Sequence, residues 1–186
     1  MNLKNHLTPA VLSYEGIAYQ YMAPSVFEDG HFEYIQEHLC ILSAFYGVLR
    51  AMDGVTPYRF EIKAMACIHG KKNLYEFWVS VLYEGVRDDS GIIINLASKE
   101  YSKCIEKYLT KDDRYITITF CEKSGNKLVT KGTYAKMARG EMVRFMAENH
   151  IENPVEIQKF DRLGYVFRDA LSSESEYVFE RVAEGC

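Results

Sequence analysis

Six basic residues, Lys123, Lys127, Lys131, Lys136, Arg139 and Arg144, stand in one stretch of the chain against the single acid Glu141. The formal net charge of −4 gives no global sign of an anionic partner, so this block is where a local positive field could draw phosphate. On a helix advancing roughly 100° per residue, Lys136, Arg139 and, less closely, Arg144 gather on one side. Tyr134, Ala138, Met142 and Phe145 gather on the other. One face can then pack while the other meets anions, and Gly140 lets a backbone or a phosphate approach closely. Contacts of this kind hold a nucleic-acid backbone without reading its sequence. The same stripe also fits a solvated, salt-bridged helix surface.

Arg50, Arg59 and Lys63 each follow an apolar segment, which puts them near strand ends, where α/β folds place their sites. Arg59 and Glu61 alternate with Tyr58 and Phe60 and share one face, an arrangement that suits a ligand contact or a simple ion pair. Asn95, Ser98, Glu100 and Tyr101 close the most apolar run and could line a ligand pocket; equally, Ser98 could cap the next helix with Tyr101 packed beneath it. Ser43 and Tyr46 lie inside another apolar run and must find hydrogen-bond partners if buried.

Five cysteines (Cys40, Cys67, Cys104, Cys121 and Cys186) are widely and irregularly spaced, without a CxxC pair, and are expected as reduced thiols. The five histidines form no short metal-binding spacing, so neither a metal nor a cofactor is expected. G-x-S-x-G elbows, Walker loops and dinucleotide fingerprints are absent. The 14 tyrosines and 10 phenylalanines offer stacking platforms for bases or, interleaved with Leu and Ile, core.

These side chains need elements to position them. Ala10–Tyr14 reads as a strand ahead of Gly16, and a helix follows with Ser25 or Asp29 as N-cap. Ile41 to Leu49 is too apolar for exposure and reads as a buried strand or a tight helix-to-strand transition. Pro57 opens an extended segment, and Asn73 to Gly85 a helix. Ile92–Leu96 reads as a fully buried strand, with a helix from about Lys99. Tyr115–Phe120 alternates with the strand period and turns at Ser124-Gly125-Asn126 into Lys127–Thr130. A helix spans Lys131 to about Asn149, stopped by Asn153-Pro154, and two tail strands cover Gly164–Phe167 and Glu176–Glu180. The order is that of a mixed α/β (α+β) fold with a central mixed sheet flanked by helices.

With 186 residues, 48% of them hydrophobic, the chain is expected to form one domain. The apolar runs fall far short of the ~20 residues of a membrane helix, and the first residues carry no apolar signal region, which points to a soluble protein of the cytoplasm.

The blocks Leu42-Ser43-Ala44-Phe45-Tyr46-Gly47-Val48-Leu49-Arg50, Pro57-Tyr58-Arg59-Phe60-Glu61, Leu74-Tyr75-Glu76-Phe77-Trp78, Ile94-Asn95-Leu96-Ala97-Ser98-Lys99-Glu100-Tyr101 and Tyr134-Ala135-Lys136-Met137-Ala138-Arg139-Gly140 occur in the order, and at about the spacing, of the YaaA (peroxide-stress, UPF0246) family. The chain resembles that family from about Ala10 to Arg181. The resemblance implies the mixed α/β "cantaloupe" fold, a positively charged cleft, DNA binding, a helix-hairpin-helix element used on DNA, and a part in resistance to hydrogen peroxide. The family opens with a strand and a Ser-Pro-Ala-Lys segment that nothing before Ala10 matches, so the chain is expected to carry roughly the C-terminal three-quarters of the pattern. Two functional readings follow. One is non-specific binding of double-stranded DNA in a cleft lined by Arg50, Arg59, Lys136, Arg139 and Arg144, with Lys63 and Lys131 as further anion contacts. The other is an enzyme for a small anionic or nucleotide-like substrate using Ser98, Glu100, Tyr101 and Lys136.

Overall fold

The computed structural model describes residues 7–58, 60–64, 68 and 70–182. Its elements are β1 (Thr8–Pro9), α1 (Ala10–Ser13), α2 (Ile17–Met22), α3 (Asp29–His38), β2 (Ile41–Ser43), β3 (Gly47–Leu49), β4 (Gly54–Val55), α4 (Leu74–Trp78), α5 (Val81–Val86), β5 (Ile92–Asn95), α6 (Lys99–Glu106), β6 (Arg114–Ser124), β7 (Lys127–Val129), α7 (Gly132–Glu148), β8 (Tyr165–Phe167) and β9 (Glu176–Arg181). This is the expected mixed α/β class. The chain gathers into two compact units, one of residues 1–13 and 36–115, the other of residues 14–35 and 116–186.

In the first unit, β1 pairs with β4 and β2 with β3, both antiparallel. The apolar run from Ile41 to Leu49 is therefore a tight hairpin, and Ser43 opposes Gly47 across its turn. Trp78 lies flat over that glycine, only 3.0 Å from where a Cβ would sit, and its indole N–H donates to the Ala44 carbonyl at 3.0 Å. Ala44, Ile62, Leu74, Leu82, Cys104 and Ile105 close the core. At the far end, the Arg114 N–H donates to the Gly91 carbonyl at 2.7 Å and ties the start of β6 to the residue before β5.

Three expectations are corrected here. Ala10–Tyr14 is not a strand: the Ala10 and Val11 N–H groups donate to the Asp53 and Ala51 carbonyls (2.8 and 3.0 Å), and the Ser13 hydroxyl donates back to the Pro9 carbonyl at 3.0 Å, closing a helical turn instead. The helix expected over Asn73–Gly85 is two short ones, because Val79 takes φ +44° and breaks it. Ile92–Ile94 are only partly buried; Ile93 packs on the core and Asn95 is the buried residue of β5.

The second unit is built on a mixed sheet. β6 runs parallel to β9, from Thr117 opposite Glu176 to Glu122 opposite Arg181; β8 and β7 add antiparallel partners to β9 and β6. A parallel pair needs a long crossover, and between β6 and β9 the chain passes through α7. Gly125, at φ +60°, supplies the left-handed residue that the β6–β7 turn requires. Phe120, Phe145, Phe160, Tyr165 and Phe179 form the core in edge and tilted ring contacts 5.1 to 5.9 Å apart. Each such ring, fully buried, contributes roughly 2 to 3 kcal/mol. Helix α2 lies against α7 so closely that a Cβ on Gly140 would fall 2.0 Å from the Ala18 carbonyl oxygen. The close approach expected at Gly140 is made, and it is a backbone that makes it.

Candidate functional site

In the first unit, Ser43 is the hub of the β2–β3 turn. Its Oγ shares a 2.6 Å hydrogen bond with the Tyr58 hydroxyl and accepts from the Phe45 and Tyr46 N–H groups at 3.2 and 3.0 Å. The Tyr46 hydroxyl accepts from the Thr56 N–H at 3.1 Å and shares a 3.0 Å bond with the Thr56 hydroxyl. Phe45 stacks on Tyr58 at 5.3 Å. The hydrogen-bond partners that burial demands of Ser43 and Tyr46 are thus present, and they lock a turn.

Asn95 turns the chain into α6 by accepting from the Ala97 N–H at 3.0 Å. Ser98 occupies the N-cap of α6 with extended backbone and its carbonyl accepts from Tyr101 and Ser102, but its hydroxyl makes no capping bond. The expectation that its side chain caps the helix is corrected accordingly. Lys63 and Glu100, taken from the sequence as an anion contact and a pocket residue, form an ion pair with each other. Burial pushes the Tyr101 hydroxyl up, with Tyr58 adding to the effect. Arg50 donates from Nη1 to the Glu37 carbonyl (3.2 Å) and to Cys40 Sγ (3.1 Å), while its N–H donates to Asp53 Oδ2 at 2.7 Å. It clamps the end of α3 to the start of β2. Arg59 lies outside the described residues.

The cations expected on α7 belong to the second unit, and the structure separates them by partner. Lys131 pairs with Glu122. Arg144 donates from Nε to Glu148 at 2.7 Å, and Arg162 bridges Glu148 and Glu141, the latter at 3.2 Å. Burial works to raise the Glu148 carboxyl, but the bonds from Arg144 and Arg162 outweigh it and hold the group below the usual range. Lys136 is exposed, without an ion-pair partner among the described residues. Arg139 is different again: its Nε is buried and meets no acceptor among the described residues, and burial pushes its guanidinium below the ordinary value.

A concavity that sequence reasoning missed lies wholly in the first unit. It measures about 540 Å³ and is formed where Lys71–Val79 faces Lys103–Tyr108. Lys103 and Lys107 sit four apart at the end of α6, a spacing that puts them on one face. The Lys71-Lys72 pair ahead of the Asn73 cap was the other available signal. Among the described residues no group of three or more His, Cys, Asp or Glu is placed to hold a metal ion, and no helix is long and apolar enough to cross a membrane.

Set against known proteins, residues 1–171 match the model of the family described as "Peroxide stress protein YaaA". A UPF0246 protein of Agathobacter rectalis is 75% identical over 181 residues, which is 97% of this chain and 73% of that relative. The chain belongs to the YaaA peroxide-stress family. Relatives in Lachnoclostridium phytofermentans (59% identity, 96% of this chain and 70% of that protein) and Limosilactobacillus reuteri (47%, 98% and 73%) are also UPF0246 proteins. The chain spans 70 to 73% of the length of these relatives. The family match runs from residue 1, a little ahead of Ala10, where the resemblance starts. It also spans the concavity and all of α7.

Proposed function

We propose that this YaaA-family chain serves the peroxide-stress response by holding double-stranded DNA through its phosphates, without sequence preference, and that Arg139 with Lys136 leads the contact. The observation that carries this reading is Arg139 itself. Its buried Nε meets no acceptor among the described residues, a cost on the order of 1 to 3 kcal/mol. The side chain as a whole keeps some exposure, so a guanidinium with no carboxylate partner among the described residues is open to a charge-assisted bond with a phosphate oxygen. Lys136, exposed on the same side of the helix, adds a second positive charge. Lys131 and Arg144, already paired to carboxylates, are lesser contacts.

Of the groups an enzyme reading would recruit, Ser98, Glu100, Tyr101 and Lys136, the carboxylate of Glu100 is committed to Lys63, which disfavours that reading. The test is anisotropy with several unrelated labelled duplexes across a salt series. Lys136→Glu combined with Arg139→Met should weaken every duplex alike, by about tenfold or more, and flatten the log–log salt dependence by roughly two. Unchanged affinity would sink the proposal; a loss confined to one duplex would overturn its non-specific character.

A further inference from the structure

We infer that the first unit carries a second, separate site, for a small phosphorylated ligand bearing a flat ring, of the mononucleotide class, in the concavity between Lys71–Val79 and Lys103–Tyr108. None of its residues figures in the DNA reading. Its volume, about 540 Å³, falls within the range of small-molecule sites and is far too small for a duplex.

Charge selects an anion. Lys71, Lys103 and Lys107 all line the concavity, and none has an ion-pair partner among the described residues, whereas Lys63, Lys123, Lys131 and Lys159 each do. The one carboxylate in the lining, Glu76, is turned to the backbone: its Oε2 accepts from the Lys72 N–H at 3.0 Å while its own N–H donates to Asn73 Oδ1 at 2.9 Å. The lining therefore carries an excess of two positive charges. Ammonium groups converging on one concave surface bind phosphate better than the same groups spread over a flat one.

Rings select a base. Tyr75 and Tyr108 line the same space, and the Lys107 ammonium stands 5.4 Å from the Tyr108 ring centroid. An aromatic face beside a cation is what recognises a planar base joined to a phosphate. The frame is fixed from beneath, because Leu74 and Cys104, neighbours of these residues, belong to the buried core. Burial pushes the Cys104 thiol up, so it remains a neutral, apolar floor. At the rim, Val79 holds φ +44° and ψ −127°, a conformation that costs a β-branched residue energy and that concentrates at ligand sites.

The experiment is calorimetric titration of the full chain with adenosine monophosphate, ribose 5-phosphate, adenosine and inorganic phosphate. Adenosine monophosphate should bind saturably and more tightly than the three probes that each lack part of it. Lys103→Gln with Lys107→Gln, both on the exposed end of α6, should weaken it about tenfold or more; Lys111→Gln should leave it unchanged. Absence of saturable binding, equal affinity for ribose 5-phosphate, or full affinity in the double variant would each overturn the inference.

Discussion

The two units treat their cations in opposite ways. Around the sheet of the second unit, basic side chains are matched to carboxylates: Lys131 to Glu122, Arg144 and Arg162 to Glu148, Arg162 also to Glu141, and Arg168 with Lys123 to Glu180. Lys136, exposed, and Arg139, partly buried with its Nε unsatisfied, have no carboxylate partner among the described residues. In the first unit Lys63 pairs with Glu100, and the densest matching is at one node. Asp113 accepts from the Thr110 N–H (2.6 Å), the Tyr83 hydroxyl (2.7 Å), Arg87 Nε (2.9 Å) and the Thr110 hydroxyl (2.9 Å), and these bonds, the backbone one first, hold its carboxyl far below the usual range. Away from that node three lysines stand open around a concavity. Matched charges fix structure; those left unmatched, where burial or concave shape makes isolation costly, are where an anion is wanted.

The sharpest way to break the second unit is at its closest backbone approach. Gly140→Leu should destabilise the chain by about 3 kcal/mol or more, because the added Cβ meets the Ala18 carbonyl at 2.0 Å and the Met22 nitrogen at 2.8 Å. The gain of about 1 kcal/mol in helix propensity does not offset that. A urea midpoint equal to the parent's would show that α2 can retreat freely.

A smaller and more diagnostic contrast sets Arg162→Met beside Arg139→Met. Removing Arg162 leaves Glu141 without its guanidinium partner and Glu148 with Arg144 alone, and takes a cation off the face of Phe145, 5.4 Å away. The expected cost is about 2 kcal/mol, less than for a wholly buried pair because these groups keep some solvent. Glu148 has a depressed folded-state value, so its stabilisation is present above the unfolded carboxylate range and fades as pH falls through the folded value; the penalty should shrink in acid. Arg139→Met should cost about nothing, since replacing a partly buried cation whose Nε has no acceptor among the described residues by a thioether removes a desolvation burden. Equal losses in the two variants would mean that Arg139 has a structural partner after all.

How far the sequence reached follows from the same physics. Local, periodic signals were legible: the alternation of Tyr115–Phe120, the Gly125-Asn126 turn and the helix that carries Lys136, Arg139 and Arg144 all appear where residue spacing put them. Helix α2 was not legible, because Ile17–Met22 is six residues long with Gly16 as N-cap and no side-chain capping bond; it rests on tertiary packing against Gly140. The parallel β6–β9 pairing joins residues nearly sixty apart, as Thr117 and Glu176 are, and no local pattern announces it. Lys136 and Arg139 could be read as neighbours on a helix, yet the isolation of Arg139 exists only once the unit has packed. Lys71, Lys103 and Lys107 meet across more than thirty residues of intervening chain, so their concavity was invisible.

The smallest expected effect tests the rim of that concavity. Val79 separates α4 from α5 at φ +44°, in a region that glycine enters freely and a β-branched side chain does not. Its side chain is 43% exposed, so trimming it gives up little burial. Val79→Gly should relieve strain worth roughly 1 to 3 kcal/mol against an entropic cost of about 0.5 to 1 kcal/mol, for a net stabilisation of about 1 kcal/mol in urea unfolding. If that strain holds the concavity in shape, adenosine monophosphate should bind more weakly to the more stable variant. A variant that is instead less stable than the parent would mean that the surrounding contacts favour valine there, and the link between strain and ligand would be lost.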